Sequence, residues 1–145
     1  MTVTFCGHRN IENPDAISRW LDSILPSLIE GGASTFCLGG YGTFDVLSAQ
    51  AVRRQKAVYP NIKSVLVLPY PNDWSDTSLY DKTIYPIPLD VPPRQAIPER
   101  NRWIVNKSWV VISGVCHSGG GAATTLAYAR QRKRIILQYP IRTHS

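Results

Sequence analysis

Short apolar runs alternate with longer amphipathic stretches along most of the chain, and this alternation predicts its secondary structure. Runs of four or five residues rich in β-branched and aromatic side chains predict strands at residues 2–6, 35–38, 64–68, 109–113 and 134–138. Apolar or small residues at helical spacing predict helices at residues 14–30, 44–57, 99–107 and 122–131. Such alternation is typical of a parallel sheet covered on both faces. The predicted fold class is α/β, a single Rossmann-like three-layer domain with a mostly parallel sheet.

Residues 69–98 interrupt this pattern. Seven of the eleven prolines of the chain lie there, so the segment is predicted to be mostly extended or looped, with one helical turn near residues 78–82. We find no internal repeat and no second domain. Residues 1–145 are therefore predicted to form one domain that contains this proline-rich segment.

The composition supports a folded domain and argues against membrane insertion. With 43% hydrophobic and 18% charged residues in 145, the chain has enough apolar side chains for a core, and global disorder is excluded. The apolar runs are too short to cross a bilayer, and the first residues do not resemble a secretory signal. Three cysteines is an odd number, and Cys6 and Cys37 lie in apolar runs. Reduced thiols in a cytoplasmic protein are the expectation.

The net charge of +6 is concentrated in the last third of the chain. Residues 91–145 carry nine basic side chains and one acid, whereas residues 1–90 carry seven basic side chains and nine acids. Phosphate-bearing partners, either a nucleotide or a nucleic acid, are compatible with this distribution.

Three glycine-containing turns follow predicted strands: Cys6-Gly7-His8-Arg9, Gly39-Gly40-Tyr41-Gly42-Thr43, and Ser118-Gly119-Gly120-Gly121. Glycines allow a ligand to approach the backbone, and the following helix presents free N–H groups, an arrangement that suits a phosphate. The alternative is that these glycines only form tight turns. None of the turns is a Walker A loop or fits the dinucleotide fingerprint, so no ATP or NAD cofactor is predicted.

Charged side chains near these turns are candidates for ligand contacts. Asp45 lies in the first turn of the second predicted helix. It either complements the helix dipole, or holds ribose hydroxyls, or activates water as a catalytic group. Arg100, Asn101 and Arg102 offer donors for phosphate and an amide for a base or ribose. Positions 100 and 102 point roughly 200° apart on a helix, which favours Arg100 with Asn101, although a solvated helix face remains the alternative.

Other chemistries receive less support from the sequence. Cys6, His8, Cys116 and His117 lack the usual zinc-ligand spacings, so no metal site is predicted. No Gly-x-Ser-x-Gly elbow is present. The basic run at residues 130–134 is either solvated surface at the end of a helix or a nucleic-acid contact, and no aromatic residues are interleaved with it.

These motifs, taken in order, resemble a known family. Phe5-Cys6-Gly7-His8-Arg9, residues 39–45, Arg100-Asn101-Arg102-Trp103-Ile104-Val105 and residues 118–129 look like the YpsA-like branch of the SLOG superfamily. The superfamily also contains lonely-guy phosphoribohydrolases, the DNA-processing protein DprA (Smf) and molybdenum-cofactor carrier proteins. The resemblance implies a Rossmann-like fold, homodimers or larger assemblies, and a nucleotide-type ligand at the glycine turns.

The resemblance leaves three functions open. The leading hypothesis is a nucleotide-binding protein in which the residue 118–121 turn and Arg100 hold phosphate, while residues 39–43 and Asp45 line the ribose side. A phosphoribohydrolase-type N-glycosidase is the second, but the late turn lacks the glutamate of the lonely-guy motif Pro-Gly-Gly-x-Gly-Thr-x-x-Glu, so Asp45 would have to serve instead. The third is a DprA-like single-stranded DNA binder.

Overall fold

The computed structural model describes residues 1–71 and 76–140. Residues 72–75 of the proline-rich segment, and Arg142 among the basic residues counted above, lie outside the described residues. In chain order the elements are β1 (Thr2–Cys6), α1 (Pro14–Glu30), β2 (Thr35–Leu38), α2 (Thr43–Lys56), β3 (Lys63–Val67), β4 (Lys82–Ile84), α3 (Pro93–Lys107), β5 (Val110–Ser113), α4 (Gly120–Gln131) and β6 (Ile135–Gln138).

The six described strands form one parallel sheet in the order β4-β3-β2-β1-β5-β6. The chain builds outward from β1 to β4 and then returns to place β5 on the other side of β1. This confirms the predicted α/β Rossmann-like domain, with every described strand pair parallel. In such sheets the crevice at the carboxyl ends of the strands where the order reverses is the usual ligand site, and here it lies between β1 and β5.

Two helices cover each face of the sheet. Val3 and Phe5 of β1 point into a core shared with α1 and α2, whereas Cys6 points into a core shared with Val105 of α3 and Leu126 of α4. Because the central strands are buried on both faces, they read in the sequence as continuous apolar runs. Among the helices of the described ranges, none is long and apolar enough to cross a bilayer.

The structure corrects two predictions in the proline-rich segment. Residues 78–82 form no helical turn; the chain turns at Ser78 and Leu79, and residues 82–84 form the edge strand β4. An edge strand this short has only one neighbour, so its sequence carries no strong apolar pattern. Helix α3 begins at Pro93, six residues before the predicted start, because proline is well tolerated in the first helical turn. Pro98 then lies inside the helix.

Candidate functional site

The crevice at the centre of the sheet is shaped by glycines that pack against one aromatic ring. Phe44, in the first turn of α2, is fully buried. A Cβ atom at Gly7 would lie 2.2 Å from Phe44 Cγ, and a Cβ atom at Gly114 would lie 2.4 Å from Phe44 Cε1. These distances are far below van der Waals contact. Glycine is therefore required immediately after both β1 and β5, where the backbones close around the Phe44 ring.

A cleft of about 470 Å³ opens at this crevice. It brings together eleven of the side chains and glycines selected from the sequence: Gly7, His8, Arg9, Gly39, Tyr41, Asp45, Arg100, Asn101, Gly119, Gly120 and Gly121. Five other selected residues do not line it: Gly40, Gly42, Thr43, Arg102 and Ser118. Parallel strands bring their carboxyl ends to one edge of the sheet, which is why turns distant in sequence meet here.

The second turn, residues 39–43, packs directly against the first. Gly40 and Gly42 have positive φ values of 79° and 87°, and a Cβ atom at Gly42 would lie 2.6 Å from Arg9 Cα. The Thr43 N–H donates a hydrogen bond of 2.9 Å to the Arg9 carbonyl. Gly40, Gly42 and Thr43 therefore shape the turn and join it to the first one, rather than face the cleft.

Asp45 is partly buried at the cleft, where its Oδ2 accepts a hydrogen bond of 3.2 Å from the Tyr41 N–H. Burial raises the pKa of Asp45 from 3.8 to about 7, and this effect is opposed by the positive charge of Arg100. A carboxyl group that changes protonation near neutral pH is suited to general acid–base chemistry.

Arg100 is only 2% exposed and is held by the protein itself. Its Nη1 donates to the carbonyl of Gly39 at 3.1 Å and to that of Val67 at 2.8 Å, and its Nε donates to Asn101 Oδ1 at 2.8 Å. The guanidinium lies over the Tyr41 ring, 5.0 Å from its centroid. Arg100 therefore ties α3 to the carboxyl ends of β2 and β3 at the cleft wall.

Helix α4 begins at the cleft with a stretch that carries no side chains. Gly119, Gly120 and Gly121 are exposed, and a Cβ atom at Gly120 or Gly121 would meet no atom within 4 Å. No side chain within residues 1–71 and 76–140 caps this helix. The N–H groups of a first helical turn lack partners within the helix and carry the positive end of its dipole, so this end of α4 suits an anion.

Tertiary packing brings to the cleft several residues that the sequence did not identify as part of it. The rings of His8 and His117 stack with centroids 3.6 Å apart and planes 7° apart, and only the pairing of β1 with β5 brings them together. His8 Nε2 accepts hydrogen bonds from the N–H groups of Cys116 (2.9 Å) and His117 (3.4 Å). The missed cleft residues also include Thr4, Ile97, Ile104, Val105 and Thr125. Thr4 and Ile97 are of types that are common in any core. Ile104, Val105 and Thr125 lie within the motifs of the resemblance, but their residue types gave no reason to select them as ligand contacts.

The cysteines weighed as metal ligands are placed separately. Cys6 is buried and its Sγ donates to the Ala122 carbonyl at 3.0 Å, and burial raises the pKa of Cys6 to about 12. Cys116 is exposed. Within residues 1–71 and 76–140, no group of three or more His, Cys, Asp or Glu side chains is arranged to hold a metal ion.

The parallel sheet, its order reversal and the glycine turns at one edge define a Rossmann-like α/β protein with a central cleft. No protein-family model and no curated protein sequence matches the chain.

Solved structures share its fold. DNA processing protein A from Helicobacter pylori is 17% identical, with a TM-score of 0.68 over 98% of this chain and 66% of that one. The DprA of Streptococcus pneumoniae is 16% identical, with a TM-score of 0.71 over 97% of this chain and 50% of that one. The molybdenum cofactor binding protein of Rippkaea orientalis is 18% identical, with a TM-score of 0.64 over 94% of this chain and 74% of that one. The chain thus spans about two thirds of the length of the Helicobacter pylori protein and about half of the length of the Streptococcus pneumoniae protein. These likenesses, all below 20% identity, show the fold alone, and it is the Rossmann-like fold that the sequence predicts.

Proposed function

We propose that this chain binds a nucleotide-type ligand, such as a nucleoside monophosphate or an ADP-ribose-like molecule, in the central cleft. The observation that carries the proposal is the open N-terminus of α4, where Gly120 and Gly121 expose backbone to a cleft of about 470 Å³. The anionic part of the ligand would bind there. Asp45 and Tyr41 lie on the other wall, where a ribose hydroxyl would find an acceptor and an aromatic ring.

Thermal unfolding in the presence of a nucleotide panel tests this proposal. A ligand at 100 times its Kd stabilises the native state by about 2.7 kcal/mol, which raises the Tm by several degrees. Gly120→Asp places a negative charge at the N-terminus of α4 and should abolish the shift. Gly32→Asp is the matched control, because Gly32 also has a positive φ and open space around it but lies after α1, at the opposite edge of the sheet. No shift with any nucleotide in the unmodified chain would contradict the proposal.

The same proposal includes the narrower assignments. We place the chain in the YpsA-like branch of the SLOG superfamily, as a cytoplasmic protein that forms homo-oligomers. The ordered motifs of the sequence support the branch, and the shared fold of DprA and the molybdenum cofactor binding protein supports the superfamily. Sedimentation equilibrium tests the oligomer, since a monomeric mass over the micromolar range would exclude it.

Hydrolysis of the bound nucleotide is a second candidate function, favoured by the raised pKa of Asp45 at the cleft wall. A protonated carboxyl could donate to a leaving base, and the ionised form could activate water. Release of free base from a nucleoside monophosphate, lost in Asp45→Asn while ligand binding persists, is the expected result. Binding without any base release would contradict this candidate and leave the binding proposal intact.

Single-stranded nucleic acid is a third candidate, favoured by a surface at the amino-terminal edge of the sheet, opposite the cleft. Trp109 is 65% exposed there, beside Ile135, whose N–H donates to the Trp109 carbonyl at 3.1 Å. Exposed cations at this edge are Lys107, Arg130, Arg132 and Lys133. The fold thus supplies the aromatic residue that the basic run lacked in sequence, and an aromatic ring among cations suits a stacked base and its phosphates. The DprA of Helicobacter pylori binds single-stranded DNA.

Anisotropy of a labelled oligothymidine between 50 and 200 mM salt tests this third candidate. Binding should weaken steeply with salt, and Trp109→Ala and Arg132→Ala should each weaken it further. Arg19→Ala is the control, since Arg19 is an exposed cation on α1, outside the surface at this edge. Equal affinities in all three variants would contradict a site at this edge.

A further inference from the structure

His8 holds the loop that leads from β5 into α4. It follows β1 by two residues and is 9% exposed. Its Nε2 accepts from the N–H of Cys116 at 2.9 Å and from that of His117 at 3.4 Å. A ring nitrogen that accepts is unprotonated, so the His8 ring is neutral with its proton on Nδ1. One side chain thus anchors two consecutive backbone groups of this loop.

The anchored loop carries the proposed anion site. Gly114 begins it, with its N–H donating to the Cys6 carbonyl at 2.8 Å, and Gly119 ends it as the first residue before α4. Cys116 and His117 lie midway between these ends. Val115 is held separately, because its N–H donates to Ser113 Oγ at 3.1 Å and its carbonyl accepts from Gln138 Nε2 at 2.9 Å. If the N–H groups of Cys116 and His117 lose their acceptor, the loop is released between Val115 and Gly119, which directly precedes α4.

We propose that His8 is a positioning residue whose neutral ring fixes the β5–α4 loop, and that protonation of this ring releases the loop and weakens anion binding at the start of α4. A proton on Nε2 turns the acceptor into a donor, so both hydrogen bonds to the loop are lost. The positive charge would also face the stacked His117 ring at 3.6 Å. The claim that protonation weakens anion binding rests on the proposed function, whereas the claim that His8 fixes the loop does not.

The groups around His8 largely oppose its protonation. Burial and His117 both lower the pKa of His8 below 6.5. Arg9 follows it in the chain, Arg100 of α3 lines the same cleft, and the positive end of the α4 dipole lies across it. Asp45 of α2 is the acidic residue of the cleft lining, and it favours protonation of His8 only when ionised. The loop is therefore fixed at neutral pH and is expected to be released only below pH 6.5.

The sign of the pH effect separates positioning from direct contact. A histidine that contacts an anion binds it more tightly when protonated, because its charge is then complementary. A histidine that positions the loop as a neutral acceptor gives the opposite result. ADP-ribose is a suitable probe, because the charge of its diphosphate diester does not change between pH 5 and 8.

The first experiment needs no ligand. In ¹H–¹⁵N spectra between pH 5 and 8, the amides of Cys116 and His117 should shift with the same midpoint as the His8 ring, and their hydrogen exchange, corrected for intrinsic rate, should rise at least tenfold below it. His117→Ala keeps the main-chain donors but removes the stacked ring, so the midpoint should move to higher pH. Loop amides that do not follow His8 would overturn the proposal.

The second experiment uses ADP-ribose binding by calorimetry. The affinity of the unmodified chain, divided by that of His8→Gln, should fall between pH 7 and pH 5 with the midpoint that the first experiment gives for His8. His8→Gln keeps an uncharged acceptor, so any pH dependence of its affinity belongs to other groups such as Asp45, whose pKa burial raises to about 7. His8→Ala should bind weakly at every pH. A ratio that instead rises at pH 5 would identify His8 as a direct anion contact and overturn the proposal. If the loop follows His8 but ADP-ribose does not bind at any pH, that ligand is excluded while the positioning of the loop stands.

Discussion

The contact between Gly114 and Phe44 allows a stability prediction to be worked out from the structure. In Gly114→Ala, the new Cβ would lie 2.4 Å from Phe44 Cε1, 2.6 Å from Cδ1 and 3.1 Å from Cζ. Ordinary contact between carbon atoms is about 3.5–4.0 Å, so the ring must move by about 1 Å. The Phe44 ring is fully buried, and Gly7 closes against its other side. The cost should therefore lie at the upper end of the overpacking range, about 3 kcal/mol.

Urea unfolding followed by circular dichroism measures this cost, and a thermal scan should show the Tm of Gly114→Ala lower by about 6–12 °C. Phe44→Ala by itself should cost about 3–5 kcal/mol because it leaves a cavity. In the Phe44→Ala background, Gly114→Ala should then cost close to nothing, since all three atoms in its way are gone. The two substitutions are thus expected to be strongly non-additive.

Gly7 provides a sharper comparison, because its Cβ would also lie 2.6 Å from the Cβ of Phe44. Phe44→Ala keeps that atom, so Gly7→Ala should remain destabilising in both backgrounds. Gly121→Ala is the control for glycine replacement in general; its Cβ meets nothing within 4 Å, and it should leave the free energy of unfolding unchanged or raise it by about 0.4–1 kcal/mol. Additive effects of Gly114→Ala and Phe44→Ala would refute this account of the cleft.

Three further predictions concern titrating groups. Arg100→Met removes the donor to two carbonyls and should lower the free energy of unfolding by about 2–4 kcal/mol. It also removes the charge that lowers the pKa of Asp45, so this pKa, followed by ¹³C NMR, should rise above about 7. Because the pKa of Asp45 is raised, the stability that Asp45 contributes is fully present below pH 3.8 and is lost as pH rises through 7, by up to about 4 kcal/mol. The Tm of Asp45→Asn should therefore exceed that of the unmodified chain most at pH 8 and hardly at pH 4. Burial raises the pKa of Cys6 to about 12 and that of Cys37 to about 11, so native-state thiol labelling should give one adduct by mass spectrometry, on the exposed Cys116.

The controls for these predictions are simple. Arg102→Met replaces an exposed arginine on the same helix and should leave both the stability and the titration of Asp45 unchanged. An unaltered Asp45 titration in Arg100→Met would show that the two groups are not coupled. A Tm difference for Asp45→Asn that does not vary with pH would place its pKa at an ordinary value. Labelling of Cys6 or Cys37 at the rate of Cys116 would contradict their burial.

Much of the fold could be predicted because it depends on local patterns. The runs Thr2–Cys6 and Thr35–Leu38 appear as strands at the predicted residues, since central strands of a parallel sheet are buried on both faces. Strand β4 could not be predicted in this way. It has three residues and, among the described strands, pairs only with β3. This pairing depends on how the chain folds back after β3, which no local pattern indicates.

For the cleft, the sequence by itself determined where glycine turns follow strands, and parallel strands require those turns to share one edge. Tertiary structure alone decided what each residue does there. Strand order places the carbonyls of Gly39 and Val67 within reach of Arg100 Nη1, while contact of Arg100 with phosphate stays a prediction. The sequence offered His117 and His8 only as weighed metal ligands, and the pairing of β5 with β1 stacks their rings instead. The physical reason is that patterning acts between neighbours in the chain, whereas the partner of a buried polar group is set by strand order and helix packing.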